Sequence, residues 1–182
     1  MSQYVAFLRA INVGGHVVKM DQLRKLFEDM GLTNVKTFIA SGNVIFESAT
    51  KSPQVLEQKT SRALEKALGY AVGVFIRSAA EIAEIAGHQA YTDAELQEGS
   101  LYIGLLSAAL TASEQKIVAA MQTPVDALRV KGRELYWHAG QNFRDAEFSP
   151  AKLEKKLGKA ATFRNVTTMR RIAALLGTKP RA

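Results

Sequence analysis

Residues 35–48, VKTFIASGNVIFES, contain the strongest indication of how the chain folds. Two short runs rich in β-branched and aromatic residues flank the turn Ser41-Gly42-Asn43, a pattern typical of a β-hairpin. Before the hairpin, apolar residues recur at helical spacing from Met20 to Met30, and Gly31 ends the pattern as a C-terminal cap does. A strand and a helix followed by a hairpin give the order β-α-β-β, which begins a split βαβ unit.

The segments on either side complete this unit. YVAFLR, residues 4–9, is apolar on both alternating faces and predicts a buried strand. Ser52-Pro53 predicts the start of a second helix, which Gly69 ends. AVGVFIR, residues 71–77, predicts the closing strand. The first half of the chain therefore has the predicted order β-α-β-β-α-β.

The second half repeats this order after a connecting helix that the capping box Ser78-x-x-Glu81 begins. Its predicted elements are the strand LYIGLLS, a helix from Thr111-x-x-Glu114, the hairpin VDALRV-KG-RELYWH, a helix from Ser149-Pro150, a weak strand near Thr162 and an amphipathic helix from about Asn165. We therefore predict an α+β fold of two tandem ferredoxin-like halves with an additional C-terminal helix. The halves are residues 1–78 and 99–182, joined by a helix and loop at 79–98 in one compact body.

Composition excludes several classes of protein. The 182 residues are 47% hydrophobic and 23% charged, which is ordinary for a globular protein. The absence of Cys excludes disulfides and thiolate chemistry. The apolar runs are too short to cross a bilayer, and MSQYVAF lacks the basic region of a signal peptide. We expect a cytoplasmic protein with no membrane partner. With three His and no H-E-x-x-H motif we expect no metal site, and the sequence leaves any cofactor or nucleophile open.

A possible site lies in the loop RAINVGGH, residues 9–16. In a split βαβ sheet of order 4-1-3-2, the loop after the first strand and the hairpin turn emerge at the same edge. Gly-Gly lets backbone N–H groups approach a ligand, and the next helix presents its positive N-terminal end there. We therefore predict binding of a phosphate- or carboxylate-bearing small molecule in one concavity, with His16 able to add charge or a proton. The predicted site consists of Arg9, Asn12, Gly14, Gly15, Lys19, Ser41 and Asn43.

A purely structural interpretation explains the same residues. The glycines can supply a turn with positive φ, Asn12 can cap that turn, and Ser41-Gly42-Asn43 can be a hairpin turn. The loops match neither G-x-G-x-x-G nor the phosphate loop G-x-x-x-x-G-K-[ST]. An enzyme acting on a phosphorylated or carboxylated metabolite would use the same pocket, so the sequence does not decide between binding and turnover.

Charge supports a second hypothesis. The formal net charge is +7, and residues 150–182 hold nine basic residues against Glu154 alone. Such asymmetry indicates an RNA- or partner-binding module, although a solvated basic surface would look the same. The candidate contacts are Lys152, Lys155, Lys156, Lys159, Arg170 and Arg171. Tyr136 and Trp137 could stack on bases, but their strand is apolar on both faces, so we expect Trp137 to pack in a core.

The sequence also resembles a known bacterial family, domain of unknown function 1697. Its members read close to RGINVGG, then K-x-M-x-x-L, then Y-I-x-S-G-N-V-x-F. The matching N-terminal positions are Arg9, Ile11, Asn12, Val13, Gly14, Gly15, Lys19, Met20, Leu23, Ser41, Gly42, Asn43, Val44 and Phe46.

Near the C-terminus LEKKLG at 153–158 and Thr162-x-Arg164-Asn165 with Thr168 match as well. The family usually has S-K-[LF]-[ST]-N and R-N-W, where this chain has Ala146, Glu147, Pro150 and Val166. The resemblance implies a fold of two ferredoxin-like halves and a shared functional edge at RAINVGG. It implies no activity.

Overall fold

The computed structural model describes residues 1–12, 14–39, 42–140 and 147–177. Within these ranges the chain forms eight strands and six helices. Their order is β1 (Ser2–Arg9), α1 (Met20–Asp29), β2 (Thr33–Phe38), β3 (Asn43–Ser48), α2 (Pro53–Leu68), β4 (Gly73–Ser78), α3 (Ala79–Gly87), β5 (Ser100–Leu106), α4 (Ala112–Ala119), β6 (Asp126–Lys131), β7 (Glu134–Ala139), α5 (Pro150–Leu157), β8 (Ala161–Asn165) and α6 (Val166–Leu175).

The strands form two four-stranded antiparallel sheets with the same topology. The first has the order β2-β3-β1-β4 and the second β6-β7-β5-β8, each the predicted 4-1-3-2 order of a split βαβ unit. In the first sheet Phe7 lies opposite Asn43 on β3, and Arg9 lies opposite Gly73 on β4. The predicted α+β fold of two tandem βαββαβ halves is confirmed.

The structural repeat of the two halves includes one more helix than the sequence pattern indicated. The strand β4 runs directly into α3, and β8 runs directly into α6. Ser78 and Glu81 cap α3 reciprocally, whereas the Asn165 side chain accepts a hydrogen bond from the Thr167 amide at the start of α6. The C-terminal helix is therefore the counterpart of the connecting helix, and each half has the order βαββαβα.

The chain divides into two compact units. The first comprises Met1–Glu84 with Ile172–Ala182, and the second comprises Ile85–Arg171. The predicted halves follow the repeat of the elements, whereas the compact units divide α3 and α6 internally. No described helix is long and apolar enough to span a membrane.

The core of the first unit lies between its sheet and the helices α1 and α2. Tyr4 and Phe46 stack with their ring centroids 5.8 Å apart, and Phe27 of α1 meets Phe46 edge-on at 5.6 Å. Leu23 and Leu64 bring the apolar faces of the two helices onto the same side of the sheet. The two helices therefore cover this face of the sheet.

The core of the second unit surrounds Trp137, as predicted. Its indole lies 5.0 Å from the Tyr102 ring and 4.8 Å from the Phe148 ring, between centroids. The indole Nε1 donates to the carboxylate of Asp126, 2.8 Å away, and that buried carboxylate also accepts from the amide of Phe148. Trp137 and Tyr136 are each 2% exposed, so neither ring can serve as a stacking platform for bases.

The polar connector between α3 and β5 is fixed to β6 by Tyr91, whose hydroxyl lies 2.8 Å from the Ala127 carbonyl oxygen. The Arg129 guanidinium lies over the Tyr91 ring at 4.3 Å and pairs with Glu95 at 2.6 Å. Burial raises the pKa of Tyr91 to about 12, so this hydroxyl remains a hydrogen-bond donor at neutral pH.

Candidate functional site

The loop between β1 and α1, residues 10–19, is held by its own side chains. Ile11 and Val18 are buried in the core of the first unit. The Asn12 Oδ1 accepts from the Val18 amide at 2.8 Å, and the Tyr70 hydroxyl donates to the Ile11 carbonyl at 2.8 Å. The described residues between these anchors are exposed. The loop is thus a compact surface loop with a fixed base, a type that often carries function.

The hairpin between β2 and β3 meets this loop through Gly42. The Leu8 amide donates to the Gly42 carbonyl at 2.8 Å. A Cβ at Gly42 would lie 3.0 Å from Ile11 Cγ2 and 3.1 Å from Leu8 Cβ, closer than side chains normally approach. The φ of Gly42 is +76°, which also favours glycine. Gly42 therefore joins the two loops at one edge of the sheet, in the arrangement expected from the topology.

Backbone strain is concentrated at this edge. Ala10 and Ile39 both have left-handed backbone conformations, with φ of 63° and 59°. For a β-branched residue such as Ile39 this conformation is a genuine outlier. Strained residues persist only where surrounding contacts fix them, and they often cluster at functional sites.

The predicted site residues divide between the surface and the interior. Asn12, Gly14, Gly15 and Lys19 lie exposed in the loop, and Arg9 lies exposed at its start. Asn43 is fully buried, and its Nδ2 donates to the Phe38 carbonyl at 2.9 Å. That hydrogen bond closes the hairpin. Ser41 lies outside the described residues.

The side chain of Arg9 lies over β4. A Cβ on Gly73 would lie 3.1 Å from Arg9 Cβ and 3.7 Å from Arg9 Cδ, so glycine at this position leaves room for the stem of the arginine. Asn43 lies on β3, on the other side of β1 from Gly73. Arg9 and Asn43 thus share a face of the sheet, but the arginine stem extends toward the opposite neighbouring strand.

The two chain segments that meet at this edge contain basic residues and no acidic ones. Residues 1–20 contain Arg9 and Lys19 and no acidic residue, and residues 30–46 contain Lys36 and no acidic residue. Among the described residues Lys19 makes no ion pair or side-chain hydrogen bond. The His16 ring stacks on Tyr70 with centroids 4.0 Å apart, which holds the imidazole against the fixed base of the loop. An anion placed here would meet positive charge without a competing carboxylate from these segments.

The basic residues of the second unit are partly engaged within the unit. Lys159 pairs with Glu114 at 2.6 Å, and Lys152 donates to the Glu147 carbonyl at 2.6 Å. The Lys159 ammonium and the Thr111 amide lower the pKa of Glu114 to about 2, so the pair persists well into acid. Lys155 and Lys156 are exposed in the last turn of α5.

The two remaining candidate contacts for nucleic acid lie on α6. Arg170 lines a cavity of about 250 Å³ with His138 and Thr167. Arg171 is exposed on the same helix. Across the described residues, no three His, Asp or Glu side chains come together as a metal site requires.

Sequence reasoning missed two residues that shape the loop. Tyr70 and Gly73 lie about sixty residues beyond the loop that they support, one bonding Ile11 and the other making room for Arg9. No local pattern marks either residue, because Tyr70 follows a helix cap and Gly73 begins an ordinary apolar strand. Only the pairing of β1 with β4 reveals their role.

The fold and this edge define an α+β protein of two βαββαβα halves, with an elaborated cationic loop on the first half. The chain belongs to the family described as protein of unknown function (DUF1697), whose model matches residues 1–136. Among solved structures, the conserved bacterial protein SP0830 from Streptococcus pneumoniae is similar, with a TM-score of 0.69 and 22% identity. The match covers 96% of this chain and 98% of that one. No curated protein matches the sequence.

Proposed function

We propose that this protein binds a small anionic ligand, bearing a phosphate or carboxylate group, at the edge where the loop 10–19 meets Gly42 of the hairpin. The observation that carries the proposal is the close approach of Gly42 to Leu8 and Ile11, which joins the two loops. Arg9 and Lys19 flank the glycine pair Gly14-Gly15, whose surroundings are open.

The roles of the residues follow from their surroundings. Gly14 and Gly15, at φ of 66° and 86°, let the backbone come close to a ligand. The Arg9 guanidinium offers a paired donor geometry that suits carboxylate and phosphate oxygens. Lys19 precedes α1, whose first amides carry partial positive charge. Asn43 and Gly42 lie buried below this surface, and Asn12 stabilises the loop by accepting from the Val18 amide.

This edge is favoured over the basic region of the second unit as the main binding surface. Lys152 and Lys159 are already engaged by Glu147 and Glu114. No aromatic platform is available from Tyr136 or Trp137, because both are buried. An RNA contact would therefore rest on phosphate contacts from Lys155, Lys156, Arg170 and Arg171.

Calorimetric titration with inorganic pyrophosphate and phosphate tests the proposal. The double variant Arg9→Gln/Lys19→Gln is compared with Arg62→Gln/Lys66→Gln, which removes the same charge from exposed positions of α2. We expect saturable binding to the wild type, a Kd at least about tenfold higher in the first variant, and a nearly unchanged Kd in the control. Equal weakening in both variants, or no saturable binding to the wild type, would reject the edge as a site.

A further inference from the structure

A cavity of about 450 Å³ opens on the first unit, away from the loop just described. It lies beside β2 and β3 on the face of the sheet opposite α1 and α2. Its apolar lining includes Phe38 and Ile45 of the sheet and Leu175 at the end of α6. Leu175 is 60% exposed and adds an apolar side chain to this lining.

The polar lining of the cavity is asymmetric in charge. The Glu47 carboxylate accepts from the Asn34 side chain at 2.9 Å and from the Gln3 side chain at 3.5 Å. Lys36 lies directly opposite Ile45 in the ladder, on the face that lines the cavity. Within the described part of the chain the Lys36 ammonium has no ion pair or hydrogen bond. The acidic group is thus already engaged by two donors, whereas the basic group is available.

The strand β2 is poorly suited to receive an added peptide strand, although it lies at the edge of its sheet. Its ladder shifts register between Thr33 and Lys36, and Asn34 has a φ of 51°. Bulges and lysines on edge strands prevent pairing with another chain. A small molecule seated in the cavity therefore fits these features better than a peptide strand does.

We infer that this cavity binds an amphipathic organic anion. Its carboxylate, or an equivalent acidic group, pairs with Lys36, and its apolar body packs on Phe38, Ile45 and Leu175. The volume is that of a pocket for a ligand of ordinary metabolite size. This site is separate from the loop 10–19, since none of the residues lining the cavity belongs to that loop. The inference does not rest on the anion proposed for the loop.

The probe for this site is 8-anilinonaphthalene-1-sulfonate, an aromatic sulfonate whose fluorescence rises in apolar surroundings. It is titrated into the folded protein at neutral pH and then displaced with decanoate or, separately, with decanol. We expect saturable binding, with displacement by decanoate at lower concentrations than by decanol, because only the carboxylate can pair with Lys36. Absence of saturable binding, or equal displacement by the two competitors, would overturn the inference.

Two pairs of variants locate the binding. Lys36→Met keeps the stem and removes the charge, and Lys25→Met does the same at an exposed position of α1. Leu175→Ser is matched by Val55→Ser, since these side chains are 60% and 53% exposed. We expect the Kd for decanoate to rise about tenfold in Lys36→Met and about fivefold in Leu175→Ser, with both controls close to wild type.

Circular dichroism confirms that each variant is folded before its Kd is compared. The double variant Arg9→Gln/Lys19→Gln should bind decanoate like the wild type, so failure at one site is distinguishable from failure at the other. If Lys36→Met binds decanoate as tightly as Lys25→Met does, the assignment of the cavity is wrong.

Discussion

The two units share one frame but differ in the loops at one end of it. In the first unit ten residues, 10–19, separate β1 from α1, and four residues, 39–42, separate β2 from β3 in the sequence. In the second unit the same connections take five residues, 107–111, and two residues, 132–133. Because the sheets have the same strand order, this difference is an elaboration of loops and not of the fold.

The short connections of the second unit are built for local stability. Thr111 and Glu114 form a capping box that starts α4 immediately after the loop. Gly132 is the only described hairpin residue there with positive φ, and a Cβ on it would meet only a carboxylate oxygen of Glu134 at 3.5 Å. At this end of the first unit, two non-glycine residues, Ala10 and Ile39, instead have left-handed conformations. Because backbone strain often clusters at functional sites, this difference supports the site proposed in the first unit.

The largest expected effect concerns the second unit. Asp126 is 1% exposed and accepts from Trp137, Thr123 and the amides of Glu147 and Phe148. Asp126→Asn replaces an acceptor by a donor group facing donors, so it should lower the free energy of unfolding by about 3 kcal/mol. Urea unfolding followed by the fluorescence of Trp137, the single tryptophan, measures this loss.

Anion binding at the loop 10–19 should be unchanged in folded Asp126→Asn, because this carboxylate stabilises the second unit. A loss of stability below about 1 kcal/mol would show that the Asp126 carboxylate contributes little to holding β6 and β7 in place. A loss of pyrophosphate binding with the fold intact would show that the proposed binding site is not confined to the first unit.

The next effect compares the two hairpin glycines. Gly42→Ala adds a methyl group about 3 Å from Ile11 and Leu8 and forces alanine into a left-handed conformation. We expect a loss of about 2–3 kcal/mol. In Gly132→Ala the alanine is also forced into a left-handed conformation, but its methyl group meets no close neighbour. This substitution should therefore reduce stability by only about 1 kcal/mol. Urea unfolding of both variants gives the difference, and equal losses would mean that the first hairpin does not depend on contact with the loop.

Locally determined features of the fold could be predicted from the sequence. Ser52, Thr111 and Ser149 were predicted to start helices, and each accepts a hydrogen bond from a backbone amide in the first turn. Gly31 and Gly69 end helices with positive φ, as their positions after apolar periodic segments indicated. The strand β8 is only five residues long, and its short segment ATF carries little strand pattern in the sequence.

The candidate site could be predicted only in outline. The topology brought the loop and the hairpin to one edge, because that follows from the order of the strands. The sequence does not predict that the Asn43 side chain donates a hydrogen bond to the Phe38 carbonyl. Nor does it predict that Gly73 leaves room for the Arg9 side chain. From the sequence alone, an asparagine in a turn can be interpreted as a ligand contact or as a hydrogen-bond donor that stabilises the turn. The burial of its side chain is needed to choose between these roles.

The most direct test follows the backbone amides of both units during a titration with pyrophosphate, in two-dimensional nitrogen–proton NMR spectra of the wild-type protein. Our interpretation predicts saturable shifts at Gly14, Gly15 and the first turn of α1, and none at Gly132 or Gly158 of the second unit. Shifts concentrated at Lys155 and Lys156, or spread evenly over both units, would contradict it.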